Sequence, residues 1–373
     1  MGNVERFPQA RQSNPTVAVL LNANARAVSE GLRRELESFV PAKDLFFSRS
    51  FDDARRICRT VLDRGYRTVL TGGGDGTFVG YVNCLYDLAM AGPARSTASG
   101  AALKLAPMPA HAVRLPRIGV LKLGTGNAVA DFSGASGKRV GVVEDILRAR
   151  SGEVSVARPL HLLSHEGKRA PFAGLGIDAA LLNDYCRLKE RVKGTRMQFL
   201  GSGGLGYFCS IVGRTLPSYA FGSAVPNVEV VNLGGPARHL DAEGRPLGRE
   251  IQTGEILYRG PCKIAAAGTV PNYGFGFRIF PHALASAGQF QLRLAAIGVP
   301  RILRNLRTFW KGGAAPAGVF DFHCDRVLIK FDREMPLQVG GDAEGYRREV
   351  VLEMAERPLD LLDFHGQPQF LPA

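Results

Sequence analysis

Over the first 150 residues, short unbroken apolar runs alternate with stretches whose apolar positions recur at helical spacing. Val17, Ala18, Val19, Leu20 and Leu21 are contiguous, which predicts a parallel strand buried on both faces. Ser29 predicts a helix N-cap, with the helix running to about residue 40. Leu45, Phe46 and Phe47 predict a second strand. Ser50 then opens a helix whose Ala54, Ile57, Cys58, Val61 and Leu62 share one face, and Gly65 ends it. Residues 67–71 predict a third strand, followed by a glycine-rich turn and a helix over 77–91. Residues 92–116 are rich in Ala, Pro, Gly and Ser and read as a long connection. A fourth buried strand over 118–121 and a helix over 142–150 complete the series. Strands and helices alternating in this way predict an open parallel sheet with helices on both faces.

Beyond about residue 155 the period changes. Short strands are predicted over 170–175, 227–232, 262–267, 289–296, 325–331 and 349–354, punctuated by Gly and Pro. Their density predicts a β-sandwich or a curled antiparallel sheet, interrupted by helices near 179–191 and 300–310. A chain of 373 residues accommodates two domains. We place an α/β domain at 14–155 and a β-rich domain at 156–355, with the tail over 356–373 expected to return to the first.

Charge narrows the partners. With 47 Lys and Arg against 34 Asp and Glu, the net charge is +13, a surface that attracts anions. No signature of a nucleic-acid-binding module is present, which leaves nucleotide and anionic membrane surface as expected partners. The six cysteines form no C-x-x-C pair and predict small core residues in a reducing compartment. The apolar run at 17–21 is too short for a secretory segment, and no stretch approaches the ~18 apolar residues of a membrane span. A cytoplasmic protein in peripheral contact with membrane is expected, and a homodimer is left open.

Two glycine-rich turns carry the chemistry. Gly72-Gly73-Gly74-Asp75-Gly76-Thr77 lies between a predicted strand and a predicted helix, where backbone N–H groups can converge on an anion. Asp75 is an acid within that turn, which points to a metal, a proton transfer or a helix cap. Gly124, Thr125, Gly126 and Asn127 repeat the pattern after the fourth strand. In open α/β sheets, ligands bind at this carboxyl edge.

Together these motifs resemble the diacylglycerol kinase catalytic family, which includes bacterial lipid kinases, sphingosine kinases and ceramide kinases. Residues 73–77 match its G-G-D-G-T, Asn83 the Asn six residues on, and residues 124–127 its G-T-x-N. Further stretches agree at 174–179, at 274–283 and at 338–342, the last resembling Q-x-D-G-E. The resemblance implies an ATP- and Mg²⁺-dependent kinase acting on a lipid hydroxyl, diacylglycerol or a sphingoid type. It implies ATP over Gly72, Gly73, Gly74, Asp75, Gly76 and Thr77, with Gly124, Thr125, Asn127 and Ser48 also in contact. Asn22 and Arg26 would stand beside the phosphates. Asp342 takes the place of the family's catalytic Glu, Asp75 would hold Mg²⁺ or share the base role, and Asp178 would meet the lipid head group or cap a helix.

The chain also departs from the family pattern. Gly340 stands where the family has the Asp of D-G-E, Gly80 where it has Glu, and Ala287-Gly288 where relatives hold a structural Mg²⁺. The G-x-G-x-x-G of residues 201–206 follows no clear strand and is a weak dinucleotide signal. His161 and His165 lack the Glu of a zinc motif. Residues 300–311 are basic and amphipathic and hold the only Trp, consistent with a packed helix or a membrane interface. An NAD-kinase-like enzyme for a soluble metabolite and a non-catalytic nucleotide- or membrane-binding module are the alternatives.

Overall fold

The computed structural model describes residues 17–25, 27–91, 114–154, 156–177, 179–180, 225–274 and 276–365. Arg26, Asp178, residues 201–206 and nearly all of the helix expected near 179–191 lie outside the described residues.

The apolar run near the N-terminus forms β1 (Val17–Asn22), parallel to β2 (Leu45–Ser48) on one side and β3 (Thr68–Gly73) on the other. β4 (Arg117–Lys122) continues the parallel sheet beside β3. The helices between them begin where short polar side chains can cap them. Ser29 Oγ accepts from the Leu32 amide at the start of α1 (Glu30–Glu37), and Ser50 Oγ from Asp53 at the start of α2 (Phe51–Asp63). Gly65, at φ 66°, terminates α2 in the left-handed conformation that glycine adopts without steric cost. Helices α3 (Asp75–Ala91), α4 (Ala128–Phe132) and α5 (Arg139–Ser151) follow. In α3, Phe78, Val79, Tyr81, Val82, Cys84, Leu85 and Tyr86 are all buried, so the helix is part of the core and not a surface element.

One strand shortly after α5 and one from far along the chain complete this sheet. β18 (Leu359–Leu362) pairs parallel with β4 and antiparallel with β5 (Ala157–Leu160), giving the order β2-β1-β3-β4-β18-β5. The predicted α/β class with a mostly parallel sheet is the observed one.

The rest of the chain is antiparallel. Twelve strands, numbered β6 to β17 in chain order from Leu163 to Met354, form one hydrogen-bonded sheet among the described residues. Those that position the site are β7 (Lys168–Ala170), β8 (Phe172–Gly176), β13 (Ile264–Gly268), β16 (Arg326–Val339) and β17 (Asp342–Met354). The last two are much longer than the predicted strands at 325–331 and 349–354. Their apolar alternation is interrupted by Asp332, Arg333, Glu334 and Pro336, yet pairing resumes past a bulge between Lys330 and Met335. The helix predicted over 300–310 is broken at Asn305 into α6 (Val299–Arg304) and α7 (Leu306–Lys311). The main apolar core is continuous across both sheets, from β1 through α3 to β16.

Candidate active site

The two glycine turns meet at the carboxyl edge of the parallel sheet. The sequence pattern predicts a six-residue turn over 72–77, but most of those residues are in regular structure. Pairing with β4 continues to Gly72↔Leu121 and Gly73↔Lys122, and α3 starts at Asp75, so Gly74 alone lies between strand and helix. The glycines are required by the protein's own packing. A β-carbon at Gly72 would strike the side chains of Leu21 and Leu123, and one at Gly73 the side chain of Thr77. A β-carbon at Gly124 would overlap the backbone of Gly74, and one at Gly74 would stand 3.0 Å from the carbonyl oxygen of Gly126. The turns are therefore in direct backbone contact, and the Asp75 amide donates to Gly126 O at 3.1 Å.

Polar side chains fix this contact. The Asn127 side chain clasps its own turn: Oδ1 accepts from the Gly124 amide at 3.1 Å and Nδ2 donates to the Gly124 carbonyl at 2.9 Å. Asn22, at the end of β1, donates to Thr77 Oγ1 at 3.0 Å. Asp75 faces inward. Its Oδ2 accepts from the Ala128 amide at 3.0 Å and its Oδ1 from Val129 at 3.3 Å, so it caps α4 across the two turns. Burial pushes the Asp75 carboxyl up to about 6, against the two amide bonds that favour its charged form; Asp131 nearby adds to the rise. The expectation that Asp75 holds a metal or acts as base meets a carboxylate with both oxygens already bonded to backbone. Ser48, expected to contact nucleotide, is buried and shares a hydrogen bond of 2.8 Å with the Tyr81 hydroxyl under the edge.

The second sheet delivers the remaining acid. Gly340 and Gly341, at φ 63° and 86°, form the two-residue turn joining β16 to β17, with Val339 paired to Asp342. Two positive φ angles are what such a hairpin turn needs. The Gly341 amide is held by Gln338 Oε1 at 2.9 Å. The turn puts Asp342 over the first turn of α3, with Oδ1 2.7 Å from where a β-carbon at Gly76 would stand. The Asp342 side chain is 47% exposed, the opposite of Asp75. Gly340 cannot simply be exchanged for the family's Asp, because its β-carbon would crowd Val79 and Ala170.

Sequence reasoning missed the residues that hold Asp342. Lys168 Nζ donates to Asp342 Oδ2 at 3.0 Å and to Glu344 Oε1 at 2.5 Å. Burial opposes the charge on Lys168, but Glu344 and Asp342 outweigh it and its pKa is raised. Glu344 was accessible to sequence reasoning, since a residue two positions along a strand shares the face of Asp342. Lys168 gave no such signal. Asn83 explains its placement: the Asn83 side chain accepts from the Arg169 amide and donates to the Arg169 carbonyl, each at 2.8 Å, which ties β7 to α3.

Of the expected residues, Asn22, Gly74, Asp75, Gly76, Thr77, Gly124, Thr125, Asn127 and Asp342 are thus gathered at one edge. Gly72 and Gly73 lie in the strand beneath it, and Ser48 is turned into the interior. His161 and His165 lie apart from it, and His165 is buried with Nδ1 3.0 Å from the Val351 carbonyl. Among the described residues no group of three or more His, Cys, Asp or Glu is arranged to hold a metal ion.

Residues 16–158 match the family model of the diacylglycerol kinase catalytic domain. This part of the chain resembles the diacylglycerol kinase catalytic-domain family. No curated protein matches the sequence. The fold is similar to that of a "putative diacylglycerol kinase" from Bacillus anthracis str. Sterne, with a TM-score of 0.59 and 14% identity over 96% of this chain and 98% of that one. A structure of a diacylglycerol kinase from the same strain gives 0.58 and 15% over 93% and 96%. Identities this low speak to fold alone. The family is one of kinases, and its match covers both glycine turns but ends before Lys168 and Asp342.

Proposed function

We propose that this protein is a lipid kinase, transferring the γ-phosphoryl group of ATP to the hydroxyl of a lipid alcohol of the diacylglycerol or sphingoid type. The observation that carries this reading is the half-exposed Asp342 carboxylate standing on Gly76 at the start of α3. Helix geometry leaves the amides of Gly76 and Thr77 without intrahelical acceptors, and the same helix end favours negative charge. A phosphate chain fits here, held by these amides and by the Gly124–Thr125 turn, with the Asn22–Thr77 pair beside it.

ATP is the phosphoryl donor. Asp342 takes the proton of the acceptor hydroxyl as its oxygen bonds to phosphorus and the bond to the leaving diphosphate breaks. Lys168 fixes the direction of the Asp342 carboxylate through its hydrogen bond to Oδ2. Asp75 acts through position, locking the two turns together. Mg²⁺ commonly retains waters and binds phosphates with one or two carboxylates, and its chemistry would be to neutralise charge on those phosphates. Asp342 suits such a partial ligand set; Asp75, with both oxygens on α4 amides, does not.

No helix among the described residues is long and apolar enough to cross a membrane; the lipid-kinase reading itself calls for peripheral contact with the acceptor's membrane. The test is incubation with labelled ATP and Mg²⁺ against a panel of lipid alcohols in mixed micelles, with NAD in parallel. We expect labelled lipid. Labelled NADP with no labelled lipid would overturn the reading.

A further inference from the structure

From residue 256 to residue 320 the chain contains eight Lys and Arg and not one Asp or Glu. Half of those cations are concentrated on α6 and α7: Arg301, Arg304, Arg307 and Lys311 are all exposed. None of the four has an ion-pair partner among the described residues, whereas the exposed Arg139, Arg238, Arg245, Arg249, Arg259 and Arg326 each have one. Between them stand apolar side chains that a soluble surface would ordinarily cover. Trp310 is 50% exposed and Leu306 40%. Arg304, Leu306, Arg307, Trp310 and Lys311 line an open depression of about 520 Å³.

Cations around an exposed indole and leucine match the boundary of a bilayer with anionic head groups, where the charges meet phosphates and the indole sits at head-group level. A single-stranded nucleic acid fits less well. It asks for successive aromatic platforms, and here one indole is exposed, with its ring already against Phe277 at 4.8 Å between centroids.

The patch is also joined to the catalytic edge. Trp310 packs on Gly276 and Phe277, and the Phe277 carbonyl accepts from the Tyr273 amide at 2.9 Å. The Tyr273 hydroxyl accepts from Gln338 Nε2 at 2.5 Å, and Gln338 holds the amide of Gly341, next to Asp342. We infer that the α6–α7 face is the surface by which this protein docks on an anionic lipid bilayer, with Trp310 entering the head-group layer. The inference rests on the lipid-kinase reading and deepens it by naming the face turned to the acceptor's membrane.

Because Trp310 is the only tryptophan, its emission reports on this face alone. The full chain is titrated with vesicles of phosphatidylcholine, with and without phosphatidylglycerol, and with polyuridylate as a soluble polyanion. A blue shift is expected with the phosphatidylglycerol vesicles only, weakening as salt is raised. Arg304→Ala with Arg307→Ala should loosen vesicle binding about 25-fold, as two contributions of about fivefold each, with the thermal unfolding midpoint retained. Vesicle binding without a change in emission, equal binding by the double variant, or an equal shift with polyuridylate would each overturn the inference. A shift on vesicles with no labelled lipid in the kinase assay would support the docking face and remove the lipid-kinase reading.

Discussion

The Oδ1 atom of Asp342 lies 2.7 Å from the point where a β-carbon at Gly76 would stand, although the two residues are on different sheets' elements and 266 positions apart. The absence of a side chain at 76 is what lets the carboxylate rest on the start of α3. Gly76→Ala is therefore expected to push the flexible Asp342 side chain aside while the helix gains about 0.5–1 kcal/mol. Turnover should fall about 100-fold, the scale of a 1 Å misplacement. Initial rates read beside thermal unfolding check this, and an alanine variant of full activity would dismiss the contact as functionally idle.

The two acids should separate. From the sequence alone, loss of either Asp75 or Asp342 is expected to abolish transfer in a folded protein. The structure changes that for Asp75. Asp75→Ala leaves the buried amides of Ala128 and Val129 without their acceptor, a cost of about 3 kcal/mol. Asp342→Ala removes a half-exposed ion pair worth less than about 1 kcal/mol, yet should lower turnover by about 10²–10⁴-fold. Urea unfolding of both variants decides, and equal stability losses would contradict the assignment of roles.

Asp75 also sets a pH dependence. Burial raises its folded pKa to about 6 from an ordinary value of 3.8. The folded state then holds a proton that the unfolded state releases between those values. The contribution is fully present below the unfolded pKa and is lost as pH rises through the folded one. Against Asp75→Asn, which cannot titrate, the wild type should lose relative stability from about pH 4 to pH 7. Urea midpoints of the two proteins across that range test it; a constant difference would mean that Asp75 ionises normally.

Glycines at the site should respond in opposite directions to the same substitution. A β-carbon at Gly80, within α3, meets nothing within 4 Å, so Gly80→Ala should stabilise by about 0.5–1 kcal/mol. At Gly124 the same carbon meets the backbone of Gly74, which cannot swing away, and Gly124→Ala should cost about 3 kcal/mol. Calorimetric unfolding of the pair provides the comparison.

How far the site could be read in advance depended on the reach of each signal. The glycine spacing marked both turns, but the count of glycines overstated the turn at 72–77, since Gly72 and Gly73 are held in β3 by pairing with Leu121 and Lys122. The family resemblance implies a nucleotide contact for the Ser48 hydroxyl; Tyr81, 33 positions on, draws it inward. Lys168 escaped notice because nothing near it in the chain forecasts two carboxylates 174 and 176 positions away.

The sequence by itself determined what acts over a few residues. The alternation of apolar runs and amphipathic stretches, the caps at Ser29 and Ser50 and the left-handed stop at Gly65 all follow from local sterics and short-range hydrogen bonding. Only the tertiary structure decided which groups meet. It set Gly74 against Gly124, turned Asp75 into the capping of α4, inserted β18 beside β4 and carried Asp342 onto Gly76. Those contacts depend on strand register and on the packing of one sheet against another, and no local pattern encodes them.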